Sequence, residues 1–168
     1  MKFDFIYVSI IIIILNIHLS AQNKNYAELI KVIGGHSSRV RSLAVLPNGN
    51  LASGSDDSSI IIWNSEDGSL IRKLRGHSSP VYSMVVFPSG HLASGSWDNT
   101  IKIWNPNDGS LLKTLTGHTS FIFALAILSD GYLASGSSDQ TIKIWNPWDT
   151  HEGSLIQTLT GHAGYVNS

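Results

Sequence analysis

The apolar positions of residues 81–115 fall into four short runs separated by turn-forming residues. VYSMVVF (81–87) is rich in β-branched and aromatic side chains and is stopped by Pro88-Ser89-Gly90-His91. LASGS (92–96) follows, then the tight turn Trp97-Asp98-Asn99-Thr100. IKIW (101–104) leads into a turn through Asp108-Gly109, and LLKTL (111–115) closes the set. Runs of about five residues joined by Gly, Pro, Asn and Asp turns predict short strands in an antiparallel all-β fold. The alternation is imperfect, because Met84-Val85-Val86-Phe87 is apolar throughout. A sheet covered on both faces has that pattern.

The pattern recurs along the chain. Gly-His stands at 35–36, 76–77, 117–118 and 161–162, giving histidine spacings of 41, 41 and 44. Ser-Gly-Ser at 53–55, 94–96 and 135–137 repeats every 41 residues, as do Asp57, Asp98, Asp139 and Trp63, Trp104, Trp145. The three extra residues of the last interval fall between Trp145 and Leu155, where PWDTHEGS replaces PNDGS. That is a turn, where insertions cost least. Residues 29–33 (LIKVI) align with the fourth run of each unit and have no first three runs before them. After His162 only AGYVNS remains, the start of a first run. The expected order is one outer strand, three whole units at about 36–74, 77–115 and 118–159, and a partial fourth at 162–168.

The 41-residue period, Gly-His, Ser-Gly-Ser-x-x-Asp and the Trp closing the third strand together resemble the WD-repeat β-propeller family. The resemblance covers residues 29–168. The family's Trp-Asp pair is Trp-Asn here, at 63–64, 104–105 and 145–146; Trp97-Asp98 and Trp148-Asp149 do not match by position. The resemblance implies four-stranded antiparallel blades stacked face to face. Propellers close with about 4–8 blades. Three complete blades plus partial ends therefore describe an incomplete propeller. Three origins are open: a fragment of a longer propeller, a truncated gene model, or a subunit that completes its ring by self-association. In the family an N-terminal outer strand completes the last blade, and here that blade lacks its second and third strands.

Each unit carries His, Ser and Asp, the residue types of a hydrolase triad. Their recurrence in register with a Trp argues for a packing device instead of an active site. The resemblance implies a hydrogen-bonded tetrad per unit: His36, Ser53, Asp57, Trp63; then His77, Ser94, Asp98, Trp104; then His118, Ser135, Asp139, Trp145. The second serine of each pair (Ser55, Ser96, Ser137) is the weaker candidate for the same role. No catalytic residue is assigned. The Gly-His histidines lack metal-ligand spacing and no phosphate-cradling glycine loop is present, so no metal and no cofactor are expected. Cysteine is absent, which excludes disulfides and thiolate chemistry. Charged residues are 14% of the chain, the net charge is -1, and the Lys and Arg are scattered, so nucleic acid is not expected as a partner.

Residues 1–21 are read apart from the repeats. FIYVSIIIIIL (5–15) extends to Leu19 if Asn16 and His18 are tolerated. A bilayer span needs about 20 apolar residues, and a run of 10–14 suits a signal-peptide core. Lys2 precedes the run and Leu19-Ser20-Ala21 offers a small-residue cleavage site. The readings are a cleaved signal, membrane anchoring through residues 5–19, or a buried strand or misassigned start. The first two place the protein outside the cell or at a membrane, and the last in the cytoplasm. Residues 22–28 (QNKNYAE) read as a linker.

The resemblance also implies a docking surface on the rim formed by the tight turns and the openings of the first strands. The positions are Arg39, Arg41 and Asp56; Pro80, Tyr82 and Trp97; Phe121, Phe123 and Ser138; Tyr165 and Asn167. Trp, Tyr and Arg dominate interface hot spots. An aromatic patch centred on Tyr82, Trp97 and Phe123, flanked by Arg39 and Arg41, is the candidate site for a protein or peptide partner. The competing reading packs Phe121 and Phe123 between blades. The function expected is a non-catalytic protein-interaction scaffold. The alternatives are a sensor or targeting part of a larger multidomain protein, an extracellular ligand-binding propeller, and a non-functional remnant.

Overall fold

The computed structural model describes Ile11–Ile12, residues 32–149 and residues 154–167. The first blade is β3 (Val40–Val45), β4 (Leu51–Ser55), β5 (Ser59–Trp63) and β6 (Leu70–Arg75), after two short strands β1 (Ile11–Ile12) and β2 (Val32–Ile33). The second is β7 (Val81–Val86), β8 (Leu92–Ser96), β9 (Ile101–Trp104) and β10 (Leu111–Leu115). The third is β11 (Ile122–Ile127), β12 (Leu133–Ser137), β13 (Ile142–Trp145) and β14 (Leu155–Leu159). Each blade is a four-stranded antiparallel meander, and the described residues contain no helix. The blades stack in chain order and do not close into a ring among the described residues. The apolar segment 1–21 and the linker 22–28 lie outside the described residues, save for β1, which pairs antiparallel with β2. Among the described residues no helix is long and apolar enough to cross a membrane.

The core sits between blades. Ala52, Ile60, Ile62 and Leu74 of the first blade pack against Val81, Leu92 and Trp104 of the second. Ala93, Ile101, Ile103 and Leu115 of the second pack against Ile122, Leu133 and Trp145 of the third. Strands β5 and β9 are therefore buried along their whole length. A strand covered on both faces holds mostly apolar side chains, and the polar one in β9, Lys102, carries its ammonium to Thr114 Oγ1 at 3.0 Å.

The identical LASGS strands make this stacking close. A Cβ placed on Gly54 would lie 2.7 Å from Cγ1 of Val81, and on Gly95 2.6 Å from Cγ2 of Ile122. Only glycine leaves room for the β-branched residue that opens the next blade. The third copy follows the rule with the partial blade, since Gly136 faces Val166 Cγ1 at 2.7 Å. Val166 is 8% exposed and its N–H donates to the Ser137 carbonyl at 3.0 Å. The tight turns between second and third strands place Ser58, Asn99 and Gln140 at φ near 65°. Asn tolerates this left-handed region best; Ser and Gln hold it at some local cost.

Candidate functional site

In every blade one hydrogen-bonded chain runs from the third strand to the loop before the first. Trp63 Nε1–H donates to Ser53 Oγ at 2.7 Å, and Ser53 Oγ lies 2.8 Å from His36 Nε2. His36 Nδ1 lies 3.0 Å from Asp57 Oδ2. The second blade repeats this at 2.8 Å (Trp104–Ser94), 2.8 Å (Ser94–His77) and 2.7 Å (His77–Asp98). The third has 2.8 Å (Trp145–Ser135), 2.7 Å (Ser135–His118) and 2.6 Å (His118–Asp139). The chemistry orders the protons. A carboxylate only accepts, so Nδ1 carries the ring proton; Nε2 then accepts from the serine hydroxyl, whose oxygen accepts from the indole.

Each aspartate takes further donors from the tight turn. Thr100 N–H and Oγ1–H donate to Asp98 Oδ1 at 3.0 and 2.7 Å, and Ser78 N–H donates to Oδ2 at 3.1 Å. Burial alone pushes these carboxyls up. Donors outweigh it: Ser59, Ser37 and His36 hold Asp57, and His77, Thr100 and Ser78 hold Asp98, well below the usual carboxylate range. Asp139 falls to about 2, where Thr141, His118 and Thr119 outweigh burial. Burial pushes His118 down against the pull of Asp139, which keeps its ring neutral. Ser55, Ser96 and Ser137 stand apart from this chain: their hydroxyls accept the backbone N–H of Asp57, Asp98 and Asp139 and so brace the turn. Ser53, Ser94 and Ser135 are at most 1% exposed, so no substrate reaches their oxygens.

At the rim the structure assembles a column across three blades. Arg41 forms a two-pronged ion pair with Asp56, at 2.8 Å from Nε and 2.7 Å from Nη2. Its guanidinium carbon stands 4.9 Å from the centre of the Tyr82 ring. Tyr82 stacks on Trp97 (4.9 Å between centroids, 13° between planes), and Trp97 stacks on Phe121 (4.7 Å, 16°). Phe123 meets Tyr82 edge-on at 5.4 Å. Pro80, half-buried, accepts the Trp97 N–H on its carbonyl, and Ser138 donates its N–H to the Phe121 carbonyl. Arg39 is exposed beside the column. Tyr165 is 69% exposed and Asn167 is also exposed; neither joins the stack. Both faces of Trp97 are thus covered, and the column ends on Phe121, which is 39% exposed. The four aromatic positions expected at this rim, Tyr82, Trp97, Phe121 and Phe123, thus meet in one group, with Phe121 also edge-on to Phe123 at 6.4 Å.

The family model described as WD domain, G-beta repeat, matches residues 27–64, 68–105 and 109–146. The chain belongs to the WD40 family. The three WD40 matches end one residue after Trp63, Trp104 and Trp145, and the later two begin just before β6 and β10. A WD40 sequence unit therefore joins the outer strand of one blade to the three inner strands of the next. Among solved structures the chain is similar to U3-55K (33% identity, TM-score 0.71), covering 78% of this chain and 42% of that one. It is similar to the WD40 repeats of RRP9 at the same identity and TM-score, covering 78% of this chain and 41% of that one. The chain thus spans less than half the length of these relatives. A search of curated protein sequences finds no match. WD40 propellers generally serve as non-catalytic scaffolds that bind protein partners.

Proposed function

We propose that this chain is a protein-interaction scaffold whose tight-turn rim docks a peptide or protein segment. The observation that supports it is the continuous column Arg41, Tyr82, Trp97, Phe121, with Phe123 against its side. It spans three blades and is built from residues that differ between units, whereas the tetrad residues recur. Residues that recur hold every blade; residues that differ give one rim its own chemistry. Aromatic side chains supply large contact area at small entropic cost, and Arg41 is already oriented by Asp56. A partner meets the edges of Tyr82 and Trp97 and the open face of Phe121.

The test uses purified full-length protein and a partner captured by it and identified. Tyr82→Ala with Trp97→Ala should weaken that complex by at least about tenfold while blade folding persists, the loss expected when hot-spot aromatics are truncated. Unchanged affinity in the double variant would remove the rim from the reading.

A further inference from the structure

The turns that join first to second strands, and third to fourth, lie at the end of the blades opposite the tight turns. At that end a cleft of about 210 Å³ opens between the first and second blades, lined by Leu46, Pro47, Asn48, Pro88, Pro106 and Asn107. Leu46 is 3% exposed and Pro106 is buried, so floor and back are part of the folded core. Arg72 fixes the wall from the neighbouring blade: its Nη2 donates to the Asn107 carbonyl at 3.0 Å, and its side chain lies over Gly109.

The next junction shows what fits such a cleft. Moving each position on by 41 residues turns Leu46 into Phe87, Pro106 into Pro147 and Asn107 into Trp148. There the indole of Trp148 lies against Phe87, with centroids 5.1 Å apart at 68°, and against His91 at 5.2 Å. It comes from the turn that carries the three extra residues. Lys113 holds that turn with a hydrogen bond from Nζ to the Asp149 carbonyl. One junction therefore has the chain's own indole laid across it, with one side on Phe87 and His91 and 46% of the residue still exposed. At the other, a short polar Asn stands at the same position and the cleft is open.

We propose that the open cleft is a second docking site, which takes a tryptophan side chain of a partner peptide in the place that Trp148 fills one blade on. The volume admits one ring system and is below the usual range for a whole small-molecule ligand, about 300–1,000 Å³. Three proline rings give an apolar surface for the indole body. The amides of Asn48 and Asn107 suit its N–H, which needs an acceptor once buried. The site is independent of the rim column, which lies at the other end of the strands.

The probe is N-acetyl-tryptophanamide, titrated into isotope-labelled full-length chain and followed through backbone amide shifts. Saturable shifts at Ser89, Gly90 and Asn107 are expected, with one site per chain. Asn107→Trp supplies the cleft with its own indole and should weaken the probe at least tenfold. Trp148→Ala should open the second junction and raise the stoichiometry from one to two, with new shifts at Phe87 and His91. Trp97→Ala should change neither result. The proposal is overturned if the probe shifts no cleft amide, if Asn107→Trp binds as the parent does, if stoichiometry stays at one in Trp148→Ala, or if the shifts vanish with Trp97→Ala.

Discussion

Asp98 shows how one side chain ties the loop before β7 to the tight turn. It receives the ring proton of His77 from the loop before β7, the N–H of Ser78 beside it, and two donors from Thr100 across the tight turn. Removing it strands these donors and leaves the Nδ1–H of His77, at the end of the chain through Ser94 to Trp104, without its acceptor. Asp98→Ala should cost about 1–3 kcal/mol, the range for leaving buried donors unpaired, read as a shift in a urea melt. A melt identical to the parent's would show that the chain of hydrogen bonds carries no stability. The same groups set the acid limb. His118 is held neutral in the folded state, so it favours unfolding once pH drops below about 6.5, where the free imidazole gains its proton. Asp57, Asp98 and Asp139 are depressed in the fold, so their stabilisation is complete above about pH 4 and is lost as pH falls toward 2. Stability should therefore fall in two stages, from pH 7 to 5 and again below 4. Asp98→Asn should make the lower stage shallower. Thermal melts at pH 7, 5 and 3 distinguish this from a flat profile.

At the scale of elements, the LASGS strand does two jobs, since its serines bind the hydrogen-bonded chain and its glycine receives the next blade. Gly95→Ala would set a methyl 2.6 Å from Ile122 Cγ2 and 2.7 Å from Ser83 Oγ. Overpacking of this kind costs about 1–3 kcal/mol. A lowered melting temperature is expected for Gly95→Ala in the parent, and a smaller loss when the same change is made in an Ile122→Ala background. An equal loss in both backgrounds would mean that the clash lies elsewhere. Strands β8, β9 and β10 were readable from sequence at their ends, because turn residues flank each short run on both sides. The tetrad positions were readable because they recur at 41. What passes between blades was not. Nothing in the period says that Trp97 stacks on a residue of the following blade, that Gly95 must be small because Ile122 sits on it, or that Trp148 in a longer turn folds back on Phe87. Those contacts join residues from different units, and a repeat aligned with itself reports only what the units share.

Among the described residues the blades form an array with two open ends, and the ends are copies of surfaces that are already paired inside it. Val81, Met84 and Val86 of the second blade pack onto the first. Their counterparts on the first blade are Val40, Leu43 and Val45, of which Leu43 is 46% and Val45 68% exposed. Ala52, Ile60, Ile62 and Leu74 of the first blade are at most 3% exposed. Their counterparts on the third are Ala134, Ile142, Ile144 and Leu159; Leu159 is 39% exposed and the others are only partly covered. The two ends are therefore complementary head to tail, a pairing that forms a closed ring when the rotation per copy permits and an open stack when it does not. Repeat arrays with uncapped apolar ends associate. The 168-residue chain should show a sedimentation coefficient that rises with concentration. Val45→Arg with Leu159→Arg places a charge at each end and should weaken that association by about tenfold or more, since a charge buried without a partner is costly, while leaving the thermal melt of the blades in place. A single coefficient at every concentration in the parent chain would show that these faces are already covered in solution. Retained association in the double variant would place the contact on another surface, with the rim column and the proline cleft as the next surfaces to substitute.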